Sequence, residues 1–73
     1  MPDEDVPLWE LIRTAHVVAR GFQKKKLYEV AAGRWVKFLK DFPKDQRAVS
    51  ARHHLGVCQL QLKQYPQAAA TFG

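Results

Sequence analysis

The sequence predicts an all-α fold of packed helical hairpins, about four helices with the last one cut short. Three observations carry this reading. Apolar residues recur at steps of three and four through most of the chain, the period of a half-buried helix. No stretch shows the two-residue alternation of a strand. The chain also overlays on itself at a shift of 37 residues, the mark of a repeated helix–corner–helix unit. Seventy-three residues give room for one small domain near the lower limit for a self-sufficient core, and 47% hydrophobic against 26% charged residues suits a folded chain of that size.

The first helix is expected from about Pro7 to Gln23, with Leu8, Leu11, Ile12, Ala15, Val18, Ala19 and Phe22 in one apolar stripe. Pro7 suits a first turn, where a missing N–H costs nothing. Asp3, Glu4 and Asp5 stand at the positive end of this helix dipole, and Lys24, Lys25 and Lys26 at its negative end. The second helix, about Leu27 to Phe42, carries Leu27, Val30, Ala31, Trp35, Phe38, Leu39 and Phe42 on one face, and Pro43 ends it. Asp45 is the expected N-cap of a third helix, roughly Gln46 to Lys63. Its stripe is read as Val49, the stem of Arg52, Leu55, Gly56, Gln59 and Leu62, with Cys58 beside it. Pro66 opens a fourth helix, Gln67 to Phe72.

The 37-residue shift places Lys26 on Lys63, Tyr28 on Tyr65, Ala31 on Ala68, Ala32 on Ala69 and Trp35 on Phe72. Upstream, Val18 falls on Leu55, Ala19 on Gly56 and Phe22 on Gln59. Small residues meet small where two antiparallel helices must approach closely, and aromatic residues fill the space around them. Leu55-Gly56, Tyr65, Ala68 and Phe72 follow the L-G…Y…A…F spacing of the tetratricopeptide repeat (TPR), and Val18-Ala19, Tyr28, Ala31, Trp35 and Pro43 repeat it. Over about residues 12–72 the chain therefore resembles that family. The longer first unit, with FLKDFP before the next helix, is similar to repeats of bacterial cell-envelope members. The resemblance implies an α-solenoid fragment: an acidic lead over residues 1–6, a first hairpin over 7–45 and an incomplete second hairpin over 46–73. The reading expects a piece of a longer array.

Charge narrows the partners. The chain is +5 overall, but residues 1–10 hold Asp3, Glu4, Asp5 and Glu10 and no basic residue. Residues 11–73 hold all twelve Lys and Arg against Glu29, Asp41 and Asp45. A body so basic favours acidic partners. One cysteine allows no internal disulfide, and His53, His54 and Cys58 do not make a closed metal site. Cys58 reads as a small buried residue, Trp35 as core and Trp9 as a cap over the first hairpin. No enzymatic activity, cofactor, metal or small-molecule substrate is expected.

The family's groove runs along the first helix of each hairpin, which implies Arg13, His16, Arg20 and Lys24, then Ser50, His53, Val57 and Gln61, as peptide-contacting residues. That set suits an acidic segment or a C-terminal carboxylate, since Arg can bind a carboxylate through two parallel hydrogen bonds. The Lys/Asn clamp of chaperone-tail binders is not reproduced, because the chain has no Asn. The expected function is a non-catalytic protein–protein interaction scaffold. Its partners are a protein or peptide, further repeats of the same chain, or a self-associating copy. The alternative is a basic helical domain contacting nucleic acid or an anionic membrane. The acidic start gives no basic-then-apolar leader, so a cytoplasmic address is expected. The cell envelope or periplasm is the alternative if the true N-terminus lies upstream.

Overall fold

A computed structural model describes residues 6–73; the acidic lead of Asp3, Glu4 and Asp5 lies outside the described residues. Four helices follow in order: α1 Leu8–Lys24, α2 Tyr28–Asp41, α3 Arg47–Gln61 and α4 Tyr65–Phe72. Each packs on the next, and among the described residues there is no strand. The all-α hairpin architecture read from the periodicity is the observed one. The helices form a flat row, 43 × 25 × 13 Å, with the core along the seams between them.

The two corners within the hairpins are built alike. At the end of α1 the Leu27 N–H donates to the Phe22 carbonyl (3.0 Å) and the Lys26 N–H to the Gln23 carbonyl (3.0 Å). At the end of α3 the Gln64 N–H donates to Gln59 (2.8 Å) and the Lys63 N–H to Leu60 (3.0 Å). All four residues of one corner map onto the other at the 37-residue shift. This six-to-one and five-to-two pairing is a Schellman cap, which needs a left-handed residue just past the helix. Lys26 (φ 63°) and Lys63 (φ 62°) take that conformation. The next residues, Leu27 and Gln64, match again, with ψ 65° in both.

Between the hairpins, Pro43 cannot continue α2, and the Phe42 N–H closes its last turn on the Phe38 carbonyl at 2.8 Å. Asp45 then caps α3: its Oδ1 accepts from the Arg47 N–H at 2.8 Å. The fourth helix starts at Tyr65, two residues before the expected Gln67, with Pro66 inside its first turn. A proline is harmless there because first-turn N–H groups have no intrahelical partner.

The core joins Ile12 and Ala19 of α1, Ala31, Trp35 and Phe38 of α2, and Ala51, Leu55 and Cys58 of α3. Ala19, Ala31, Ala51 and Cys58 are fully buried, so small side chains stand where the backbones close on Trp35. In the second hairpin Ala68 is buried, and a Cβ built at Gly56 would run into the Phe72 ring. Phe72 itself is 47% exposed, whereas its repeat mate Trp35 is wholly buried.

The expected stripes need correction on every long helix: Leu8, Leu11 and Val18 of the α1 stripe and Leu27 and Val30 of the α2 stripe are exposed. Val49 is 75% exposed and Arg52 is exposed, while Leu55 and Gly56 of the expected stripe are buried; the buried residues of α3 are Ala48, Ala51, Leu55, Gly56 and Cys58. The reason is that α3 has neighbours on two flanks, α2 and α4, so its buried surface is not one stripe. Trp9 is 61% exposed and caps nothing. Helix α1 has 17 residues against 14 in α2, and the Trp9 turn stands at the overhanging end.

The corner geometry yields a test. A left-handed lysine costs about 1–2 kcal/mol relative to a residue without Cβ, offset in part by the greater chain entropy of glycine. Lys26→Gly and Lys63→Gly should each stabilise the fold by about 0.5–1 kcal/mol in urea melts. A loss of stability in both variants would show that the corners are not capped this way.

Candidate anion-binding groove

Helices α1 and α3 run on either side of α2, and the space where all three meet holds a cavity of about 240 Å³ lined by Arg20, Gln23, Lys24, Tyr28, His54 and Val57. The lining contains two cations and no carboxylate. A neighbouring hollow of about 300 Å³, lined by His16, Val17, Arg20, Gly21 and Lys24, shares both cations. Arg20 and Lys24 are four residues apart on one face of α1 and therefore serve both spaces.

Trp35 lies behind two of the lining residues, Gln23 and His54. Its Nε1–H donates to Gln23 Oε1 at 3.1 Å. That bond leaves the Gln23 amide NH₂ as the donor end. The His54 ring stacks on Trp35 with centroids 4.9 Å apart and 16° between planes. His16 meets the same indole edge-on at 5.0 Å, and the two histidines are 5.9 Å apart. His16 Nε2 is buried without a hydrogen-bond partner, which suits a neutral ring packed against aromatic carbon.

Burial holds the His16 pKa below the usual histidine range, and the positive charges of Arg20 and Arg47 lower it further. Burial also lowers His54, with Arg20, His16 and His53 adding to it. The groove thus has two fixed cations over neutral histidines near pH 7, a surface of donors and positive charge. Donors and cations of this kind are the groups that form charge-assisted hydrogen bonds to oxyanions.

The implied groove residues divide into those this site uses and those it does not. Arg20, Lys24 and Val57 line the main cavity, and His16 the adjoining hollow. Arg13, Ser50 and Gln61 are exposed and line neither. His53 is also exposed and stands against Phe72 at 5.8 Å. Gln23, Tyr28 and His54 were missing from the expected set. The available signal for His54 was its spacing of three from Ala51 and four from Cys58, which puts it on the flank of α3 that meets α2.

Cys58 is fully buried and burial pushes its thiol pKa up, so it is an inert core residue. Among the described residues no group of three or more His, Cys, Asp or Glu could hold a metal ion. No described helix is long and apolar enough to cross a membrane. Comparison with family models, with curated proteins and with solved structures finds no match.

The histidine pair makes stability depend on pH. Both groups have folded pKa values below the unfolded 6.5, so the unfolded chain takes up protons first as pH falls. Their contribution is complete above about pH 6.5 and is lost as pH falls toward the folded values. The melting temperature should drop between about pH 7.5 and pH 5.5, and the drop should shrink in His16→Gln/His54→Gln. A wild-type slope unchanged by the double substitution would assign the pH response to other groups.

Proposed function

We propose that this chain is a non-catalytic interaction scaffold of the TPR type, binding an acidic peptide segment of a partner protein in the groove between α1 and α3. The observation that carries the reading is the pairing of Arg20 and Lys24 over a cavity whose remaining polar lining is Gln23, Tyr28 and His54, with no acid among them. An anion entering it meets donors on three sides and no like charge. Sequence supports the same reading through the L-G…Y…A…F spacing, present twice, and the structure carries matching corners at the same spacing.

The proposed role is binding, with no catalytic step assigned to the groove. The one thiol takes no part in it, since Cys58 is sealed in the core. The rival reading, a basic surface for nucleic acid or anionic membrane, draws on the exposed run Lys24-Lys25-Lys26 at the end of α1. Binding of that kind would spread over many cations and fall steeply with salt.

The site gives the test. Removing two charge-assisted contacts, each contributing about 1.5–3 kcal/mol, should lower affinity at least about tenfold. The variant Arg20→Gln/Lys24→Gln should therefore lose an N-acetylated glutamate-rich peptide in a fluorescence titration. The control Lys37→Gln/Lys40→Gln should change it less than about twofold, because Lys37 is already paired with Asp41 at 3.3 Å. Equal losses from both double variants, tracking salt, would favour the diffuse polyanion reading instead.

A further inference from the structure

The seam between the two hairpins is a template for a contact that, among the described residues, stays uncovered on α1 and on α4. Inside the molecule, Ala51, Leu55 and Cys58 of α3 share the core with Trp35 and Phe38 of α2 and His54 stacks on Trp35; these and Ala48 are all buried or half-buried. Thirty-seven residues earlier, the same positions on α1 are Leu11, Thr14, Val17, Val18 and Gly21. Leu11, Val17 and Val18 are 50%, 57% and 40% exposed. Three large apolar residues thus stand uncovered on α1 at positions that are covered on α3.

The receiving side shows the converse. On α2, Tyr28 and Ala32 are half-buried and Trp35 fully buried, with His54 of α3 stacked on the indole. Their mates on α4 are Tyr65, Ala69 and Phe72, all exposed. His53 meets Phe72 as His16 meets Trp35, but nothing takes the place of His54 on its other side. The strip residues themselves are uncharged, with Arg20 and Lys24 beside Val17 and Gly21 in the adjoining hollow, and α4 has no ionised residue along its whole length. In a chain with twelve Lys and Arg, an uncharged α4 presents no like charge to the cations beside the strip, so the faces can meet without that repulsion.

We propose that copies of this chain associate head to tail, the Leu11–Val17–Val18 strip of one copy seating on the Tyr65–Ala69–Phe72 face of the next. The joint repeats the α2–α3 seam between chains, with Val17 in the position of His54 above the Phe72 ring. Because donor and receiver are different faces, one joint leaves both outer ends open, and assembly continues past two. The receiving helix has eight residues against fourteen in α2, so each joint is shorter than the internal seam and weak.

Sedimentation velocity of the full chain from about 10 µM to about 1 mM tests this, a range that reaches weak contacts. The mean mass should rise steadily with concentration and pass that of a dimer. Val17→Glu spoils only the head and Ala69→Glu only the tail. Both positions are exposed, so each variant should keep its helical circular dichroism. Each alone should remain monomeric, while an equimolar mixture should form a one-to-one dimer through the intact tail of one and the intact head of the other. A wild type that stays monomeric at the highest concentration would overturn the proposal. So would assembly that survives both substitutions, or a mixture that stays monomeric.

Discussion

Everything in this molecule leans on the side chain of Trp35. The indole comes from α2, has no exposed surface and touches both neighbouring helices, through His16 on α1 and His54 on α3. A buried indole carries a large apolar contribution and one N–H that needs an acceptor. Gln23 supplies it. The ring also dictates what surrounds it: the fully buried Ala19, Ala31 and Ala51 let three backbones close on a group of that size, and the two histidines beside it are held toward the neutral form. The same contacts shape the groove, since Gln23 and His54 form its wall while touching Trp35. Core and candidate site are therefore two sides of one interaction. A change that loosens the indole should disturb both.

The second hairpin keeps the positions of the first and changes their chemistry. His16 against Trp35 becomes His53 against Phe72. Arg34, lying 5.7 Å over the Phe22 ring, becomes Thr71, whose hydroxyl donates to Gln59 at 2.6 Å. In one hairpin a cation covers an aromatic face; in the other a hydroxyl meets an amide at the same two sites. Both close the same distance between the first and second helix. Position in the repeat thus constrains reach more tightly than it constrains polarity, and the small pairs Ala19/Gly56 and Ala31/Ala68 are where both reach and volume are limited.

Much of this was legible in the residues and some was not. Helix periodicity and the 37-residue overlay pointed to the hairpins, to Trp35 as core and to Cys58 as buried. Reading one stripe per helix misplaced Val49 and Arg52, because a helix flanked on two sides buries two partial faces. Trp9 could not be placed from its own residues, since its exposure follows from the different lengths of α1 and α2. The left-handed Lys26 and Lys63 carry no propensity signal for that conformation; only their coincidence in the overlay marked them. Among the groove residues, Arg20, Lys24 and Val57 were implied by the resemblance to the tetratricopeptide family. Gln23 and His54 were not, because the Trp35 N–H and ring face recruit them, and those contacts are tertiary.

The account makes Trp35 the joint of three helices and leaves Trp9, the other tryptophan, on the surface at 61% exposure. Hydrogen exchange of the two indole N–H groups in the native chain separates these environments directly, because a buried, hydrogen-bonded N–H exchanges only when the structure opens. The Trp35 indole proton should persist with the slowest-exchanging backbone amides of α2 and α3, while that of Trp9 should exchange at close to the rate of free indole. Fast exchange at both rings under native conditions would contradict the account, since the core it describes would not be closed around Trp35.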